Sequence, residues 1–180
     1  MSAPRRAPSD FDALAMYAAM DAQRIQRGLS WRQVADQIWA QSAALNRTRN
    51  DHPISPSTLT GIAKRRDTTC QHALAVLRWL GRHPESFVPK GATLVESAAL
   101  PLATDAHRLR WDLSALYEAL DAARRERALT WVALAKQLRC SDNQLRGIRT
   151  ARYAIGMTLA MRITQWLERP ASAFVYAAKW

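Results

Sequence analysis

The sequence predicts an all-α protein built from two tandem units of five short helices each, and three observations carry that expectation. The first is internal repetition. FDALAMYAAMDAQRIQRGLSWRQVADQI, beginning at Phe11, lies without a gap over WDLSALYEALDAARRERALTWVALAKQL, beginning at Trp111, at an offset of 100. Tyr17 and Tyr117, Asp21 and Asp121, Arg24 and Arg124, Arg27 and Arg127, and Trp31 and Trp131 are among the identical pairs. The second is apolar spacing near 3.6 residues in both copies, as in Phe11, Leu14, Tyr17 and Ile25. The third is punctuation typical of helices, with no alternating β-branched run that reads as a strand.

The helix starts and stops follow in order. Gly28 offers a stop, and Ser30-Trp31-Arg32-Gln33 forms a capping-box start for the next helix. Ser55-Pro56 pairs an N-cap with proline at the first helical position. A fourth helix is expected from about Thr69 to Leu80, ended by Gly81, and Pro84 opens a short fifth. After Ile38 the register between the copies breaks. It resumes with Leu59-Thr60-Gly61-Ile62 over Leu145-Arg146-Gly147-Ile148 at an offset of 86, so repeat one carries an insertion of 100 − 86 = 14 residues. Similarity returns with Arg78-Trp79-Leu80 over Gln165-Trp166-Leu167. Repeat one is therefore expected over residues 9–88, with the insertion near 39–53, and repeat two over 108–176. Residues 89–107 lose the helical period, hold two prolines and a glycine, and read as a linker with an extended reach of at most ~65 Å.

Composition narrows the function. Lys and Arg outnumber Asp and Glu by 26 to 15, and only Lys64, Lys90, Lys136 and Lys179 are lysines. An arginine-rich chain of net charge +11 points to a polyanionic partner, because the planar guanidinium pairs bidentately with phosphate and with guanine edges. Cys70 and Cys140 lie in no metal-ligand spacing and at comparable apolar places in the helical pattern, which suits a reducing compartment. The first ten residues lack the apolar core of a signal peptide, and no run approaches the ~20 apolar residues of a membrane span. Cytoplasmic, nucleoid-associated placement is the expectation. His52, His72, His83 and His107 are scattered and no glycine-rich phosphate loop is present, so neither an enzyme nor a cofactor is expected. Cys70 and His72 are the nearest approach to a dyad, but two residues apart on a helix they point to different faces.

The segment Trp131 to Ile148 resembles the helix-turn-helix of the lambda-repressor-like (XRE) family. Ala135 is the small residue at the helix crossing, Leu134 and Leu138 face inward, and Cys140 fills the apolar position after the turn. Ser141 caps the second helix with Gln144 completing a capping box, while Leu145 and Ile148 are its buried side. Arg139 stands where the family usually has a glycine. Repeat one keeps Trp31, Val34, Ala35 and Ile38, then Ile54, Ser55, Leu59 and Ile62, but Trp39 to Pro53 replaces a single turn residue. That insertion either prolongs the helix through Trp39–Leu45 or forms a loop. Its tip, with Arg47 and Arg49, is either an arm toward DNA or a solvated loop.

The resemblance implies two tandem five-helix lambda-repressor-like domains reading double-stranded DNA with their second motif helices. In repeat one it implicates Ser55, Pro56, Ser57, Thr58, Thr60 and Gly61, and in repeat two Ser141, Asp142, Asn143, Gln144, Arg146 and Gly147. Asn143 suits adenine and Arg146 guanine, whereas repeat one offers hydroxyls and a methyl. Lys64, Arg65 and Arg66, with Arg149 and Arg152, fall where the family contacts the backbone, and are otherwise ordinary charged loops. Trp31 and Trp131 stand where relatives hold a phosphate-binding glutamine, so the indole either reaches phosphate or packs in the core. Trp79 and Trp166 read as core. The rival function is a protein-interaction or antitoxin-like adaptor in which one repeat binds itself or another protein. Single-stranded or RNA binding is disfavoured for want of an RNA module.

Overall fold

The computed structural model describes residues 7–89, 98–150 and 155–180. Within them the chain is mostly helical. In the first half, α1 (Ala13–Gln26) starts where the Asp12 carboxylate accepts from the Ala15 amide. The Ser30 and Gln33 capping box opens α2 (Trp31–Ala40), and a single turn, α3 (Ala43–Asn46), follows. Next, α4 (Pro56–Arg65) begins with Ser55 as N-cap and proline in its first turn. The Thr69 hydroxyl caps α5 (Cys70–Leu80), which ends in Gly81 at φ 65°. Pro84–Phe87 forms a 3₁₀ turn rather than an α-helix.

The second half repeats the order with α6 (Leu113–Glu126), α7 (Trp131–Leu138), α8 (Asp142–Ile148) and α9 (Met157–Leu167), then a 3₁₀ turn at Ala171–Phe174. It also contains what the sequence reading missed. Strand β1 (Arg108–Trp111) pairs antiparallel with β2 (Val175–Ala178), Trp111 facing Val175 and Arg108 facing Ala178. Neither strand is rich in β-branched residues, so propensity gave no signal. What makes β1 a strand is burial of alternate side chains, Leu109 and Trp111, against α5 and β2.

Two smaller expectations are corrected as well. On α1 the buried stripe is Ala13, Met16 and Met20, while Leu14 and Ile25 are exposed. The two cysteines do not hold comparable places, for Cys70 is the buried first residue of α5 and Cys140 lies half-buried in the turn after α7.

The insertion is neither a prolonged α2 nor a simple loop. Gln41 turns its amide onto the carbonyls of Ile38 and Ala75, at 3.2 and 3.1 Å, and Asn46 donates to the carbonyl of Trp39 at 2.8 Å. These side chains satisfy the carbonyls that α2 leaves open and so end it. Ser42 is buried and donates to the His107 carbonyl at 2.7 Å, and the Leu45 amide donates to Asp105 at 3.2 Å. The insertion is thereby docked on the segment leading into β1. That segment, expected as part of the 89–107 linker, is held again by Arg78 on α5, whose guanidinium donates to the carbonyls of Ala103, Thr104 and His107 at 2.9 Å.

The halves share one hydrophobic cluster, running from Met16, Leu59 and Leu74 to Leu116, Leu145 and Ile163. At its centre α5 and α9 meet N-terminus to N-terminus. Thr69 and Gly156 form an antiparallel bridge, with the Cys70 amide donating to Ile155 at 2.9 Å and the Met157 amide to Thr68 at 2.8 Å. The bridged residues are equivalents, since 156 − 69 = 87 and the paired tryptophans differ by 166 − 79 = 87. A reciprocal exchange between equivalent residues is what a local two-fold axis produces.

The identical pairs of the repeat prove to be packing modules. Tyr17 stacks on Trp31 with ring centres 5.4 Å apart and Arg24 lies 4.9 Å over the indole; Tyr117, Trp131 and Arg124 repeat this at 5.5 and 4.7 Å. Trp79 and Trp166 are buried and donate to Gln37 and Gln137, at 3.0 and 2.7 Å. Two repeated positions hold a left-handed glycine in the first copy and a residue with a Cβ in the second; one is Gly81 (φ 65°) against Glu168 (φ 56°), and the other follows α1 and α6. Gly28 has φ 64°, whereas Ala128, its equivalent, has φ 51° and so carries a Cβ in the left-handed region. Ala128→Gly is expected to stabilise the protein by about 1 kcal/mol and Gly28→Ala to destabilise it by about as much, read from urea unfolding midpoints at unchanged m-value.

Candidate nucleic-acid interface

The geometry of α7, its turn and α8 depends on one residue in a left-handed conformation. Arg139 holds φ 53°, closes α7 by donating its amide toward Ala135 and Lys136, and lets the Cys140 amide reach Ala135 at 3.0 Å. A glycine would take this conformation without cost. Arg139 instead has a second task, because its guanidinium donates to the Pro8 carbonyl and to Asp10, both at 2.6 Å. Arg162 of α9 reaches the same Asp10 oxygen at 2.8 Å and also donates to the carbonyls of Leu138 and Arg139. Its hydrogen bond to Asp10 is the main reason that this carboxyl titrates below its ordinary range, with the charges of both arginines adding to it.

Both second helices bury one side and present the other. Leu59 and Ile62 of α4, and Leu145 and Ile148 of α8, have no exposure, which leaves the opposite face of each helix to solvent. On α4, Ser55, Pro56 and Ser57 are exposed and Thr58, Thr60 and Gly61 half-buried. Several of these groups are engaged locally. Ser55 bonds to the Ser57 and Thr58 hydroxyls at 2.9 Å, and the Thr60 hydroxyl donates to Pro56 at 3.2 Å. Arg65 folds back to donate to the Thr58 carbonyl at 3.1 Å and covers Gly61, where a Cβ would collide with it. Lys64 and Arg66 are exposed beyond it.

On α8, Ser141, Asn143, Gln144, Arg146 and Arg149 are exposed, with Asp142 and Gly147 half-buried. Gln144 accepts from the Ser141 amide at 2.9 Å and is committed to the cap. Arg146 pairs loosely with Asp142, 3.6 Å away on the next turn. Arg152 lies outside the described residues.

Of the insertion's two arginines, Arg47 is exposed, while Arg49 pairs with Asp51 at 2.7 Å. Arg108 of β1 reaches the same carboxylate at 2.5 Å, donates to Asn46 at 2.7 Å, and lies 4.8 Å over the Trp39 ring. Trp31 and Trp131 sit half-buried under Arg24 and Arg124, each of which is held by its own aspartate three residues earlier. The nearest approach to a catalytic pair is inert, as burial pushes the Cys70 thiol up to about 12 and keeps it protonated.

Sequence reasoning missed Arg78, Arg108 and Asp10. One signal was available for the first: Arg78 and Gln165 are long polar residues at the same place beside a core tryptophan. Both do the same work, since Gln165 exchanges two hydrogen bonds with Ser9, at 2.8 and 2.9 Å, as Arg78 holds the equivalent segment before β1.

The chain matches no family model, no curated protein and no solved structure. Among the described residues no helix is long and apolar enough to cross a membrane, and no group of three or more His, Cys, Asp or Glu is placed to hold a metal.

The insertion's anchor responds to pH. Arg49, then Arg108, hold the Asp51 carboxyl down to about 2 from an ordinary 3.8. A depressed folded-state value means that this tie is complete above pH 3.8 and is lost only as pH falls through about 2. Carboxyl NMR titration should place Asp51 among the last aspartates to protonate, and Arg49→Ala should move its midpoint upward.

Proposed function

We propose that the protein is a sequence-specific double-stranded DNA-binding regulator, in which two lambda-repressor-like helix-turn-helix domains of one chain act as a built-in dimer. In this reading α4 and α8 are the recognition helices. The observation that carries it is the bridge between Thr69 and Gly156, since it relates two like motifs by a local two-fold of the kind that DNA-binding dimers use to read two half-sites. The arginine-rich net charge of +11 supplies the phosphate attraction. Asn143 and Arg146 are the base readers of α8, and Ser57 and Thr60 read more weakly from α4, so the two half-sites differ in sequence. Lys64, Arg66 and Arg149 contact phosphates. No catalytic step is assigned to the chain, and its work is placed in the cytoplasm on the nucleoid.

The shared core changes how bivalency operates. Two motifs on a flexible tether would sample many spacings. Here the packing of α5, α9 and β1 fixes one, and half-sites about one helical turn (~34 Å) apart are expected. A specific observation favours a second reading for repeat one alone: with Arg65 folded over Gly61, the face of α4 is partly closed, as it would be in a domain turned to protein binding.

Selection from random duplex DNA, followed by footprinting with the intact chain, tests the proposal. One protein per site and a footprint covering two unlike half-sites are expected, while binding that ignores sequence, or that protects a single half-site, contradicts it. On the selected site Arg146→Ala should cost about 1–3 kcal/mol and relax one base position, whereas Lys64→Ala should weaken all duplexes alike and lower the salt slope by about one. Equal losses for Arg146→Ala on selected and random DNA would remove it from base readout.

A further inference from the structure

A cavity of about 160 Å³ lies between the two halves, walled by the insertion and α2 on one side, by α5 behind, and by β1 in front. Much of its surface is apolar, with Trp39, Ile54, Leu74 and Leu109 facing it. The described residues that line it include Arg78, Arg108 and Arg110 with two histidines, and no carboxylate. Arg78 and Arg108 have their donors taken by carbonyls, Asn46 and Asp51. Arg110 does not. Its guanidinium lies 5.2 Å over the Trp180 ring and one Nη makes a long contact of 3.4 Å to the Trp180 main-chain oxygen, but its Nε is buried without an acceptor. Leaving a buried charged donor unpaired is costly. Burial, with Arg108 and Arg49 nearby, pushes the Arg110 pKa down, and Tyr176 and Asp51 oppose that shift without overcoming it.

The equivalent cleft in the other repeat shows what fills that role. Residue 110 corresponds to residue 10 at the offset of 100, and there Asp10 supplies the anion, received by Arg139 and Arg162. In the cavity at β1 an arginine replaces that aspartate, and the α9 arginine, Arg162, is matched by Ala75 on α5 at 162 − 75 = 87. The charge is reversed and a bulky side chain is missing.

We propose that this cavity binds a small organic carboxylate with a ring-sized apolar body, its carboxylate on Arg110 and its ring between Trp39, Ile54, Leu74 and Leu109. The volume suits a single ring, and one guanidinium with an open, buried Nε suits a monoanion better than phosphate. His72, kept neutral by burial and by Arg65, lines the same wall and can donate to or accept from the ligand.

Benzoate is the probe, titrated into the intact protein by calorimetry and thermal melting, with benzamide and inorganic phosphate as controls. Saturable benzoate binding is expected, raising Tm by about 3 °C or more at ten times Kd, with neither control binding up to about 10 mM. Arg110→Gln should weaken benzoate about tenfold or more. Ala75→Met, which fills the cavity without altering charge, should abolish binding while leaving the circular dichroism of the folded protein intact. No saturable benzoate binding, an equal response to either control, or unchanged affinity in Arg110→Gln overturns the proposal. If Arg110→Gln does not fold, Ala75→Met decides: benzoate binding that survives in it overturns the proposal. None of these readouts involves DNA, so they stand or fall apart from the reading of α4 and α8.

Discussion

The exchange of backbone hydrogen bonds between Thr68–Cys70 and Ile155–Met157 sets the position of nearly everything else. It joins the first residues of α5 and α9, the helices that line the middle of the core, and so fixes how the halves face each other. Around it each half sends its leading segment across to the other. Ser9 and Asp10 lie on α9, and the run from Ala103 to Arg110 lies on α5 and the insertion. Breaking the central exchange would loosen these crossings, because Ser9, Asp10 and the run before β1 take partners from the other half.

Features governed by local chemistry were legible in the sequence. Ser30 with Gln33, Ser55 with Pro56, and Ser141 with Gln144 all open helices where they were expected to, since a cap needs only its own first turn. Gly81 ends α5 in the left-handed conformation for the same reason. Strand β1 and the two-fold contact were not legible, because they depend on surfaces far away in the chain. The exposure of Ile25 belongs to this class too, for only the packed neighbours of Met16 and Met20 decide which side of α1 is inside. In the insertion, Gln41 and Ser42 stop α2 through partners on α5 and before β1 that no local pattern reveals.

For the candidate interface, sequence indicated which residues occupy α4 and α8 but not what holds their side chains. Arg65, Thr60 and Gln144 are turned to local partners, and Arg49 is spent on Asp51. Arg146 and Asn143 remain outward. The most repeated residues turn out to serve packing: Tyr17, Arg24 and Trp31 recur as Tyr117, Arg124 and Trp131 because each set closes the junction of two helices. Internal identity at these positions therefore marks scaffold, while residues 10 and 110 differ between the copies in charge and in partner.

The pairing of Thr69 with Gly156 has a consequence that a dimer of separate chains would be denied. In a symmetric pair every substitution at the axis appears twice, so a residue there must suit both sides at once. Within one polypeptide the two positions have parted: Thr69 caps α5 with its hydroxyl, while at Gly156 the Asp67 carboxylate occupies the space of a missing Cβ and accepts from the Thr158 amide at 3.2 Å. The contact also survives dilution, since its two halves share one chain, and its occupancy owes nothing to protein concentration. A protein of this build can be scarce in the cell and still be fully assembled.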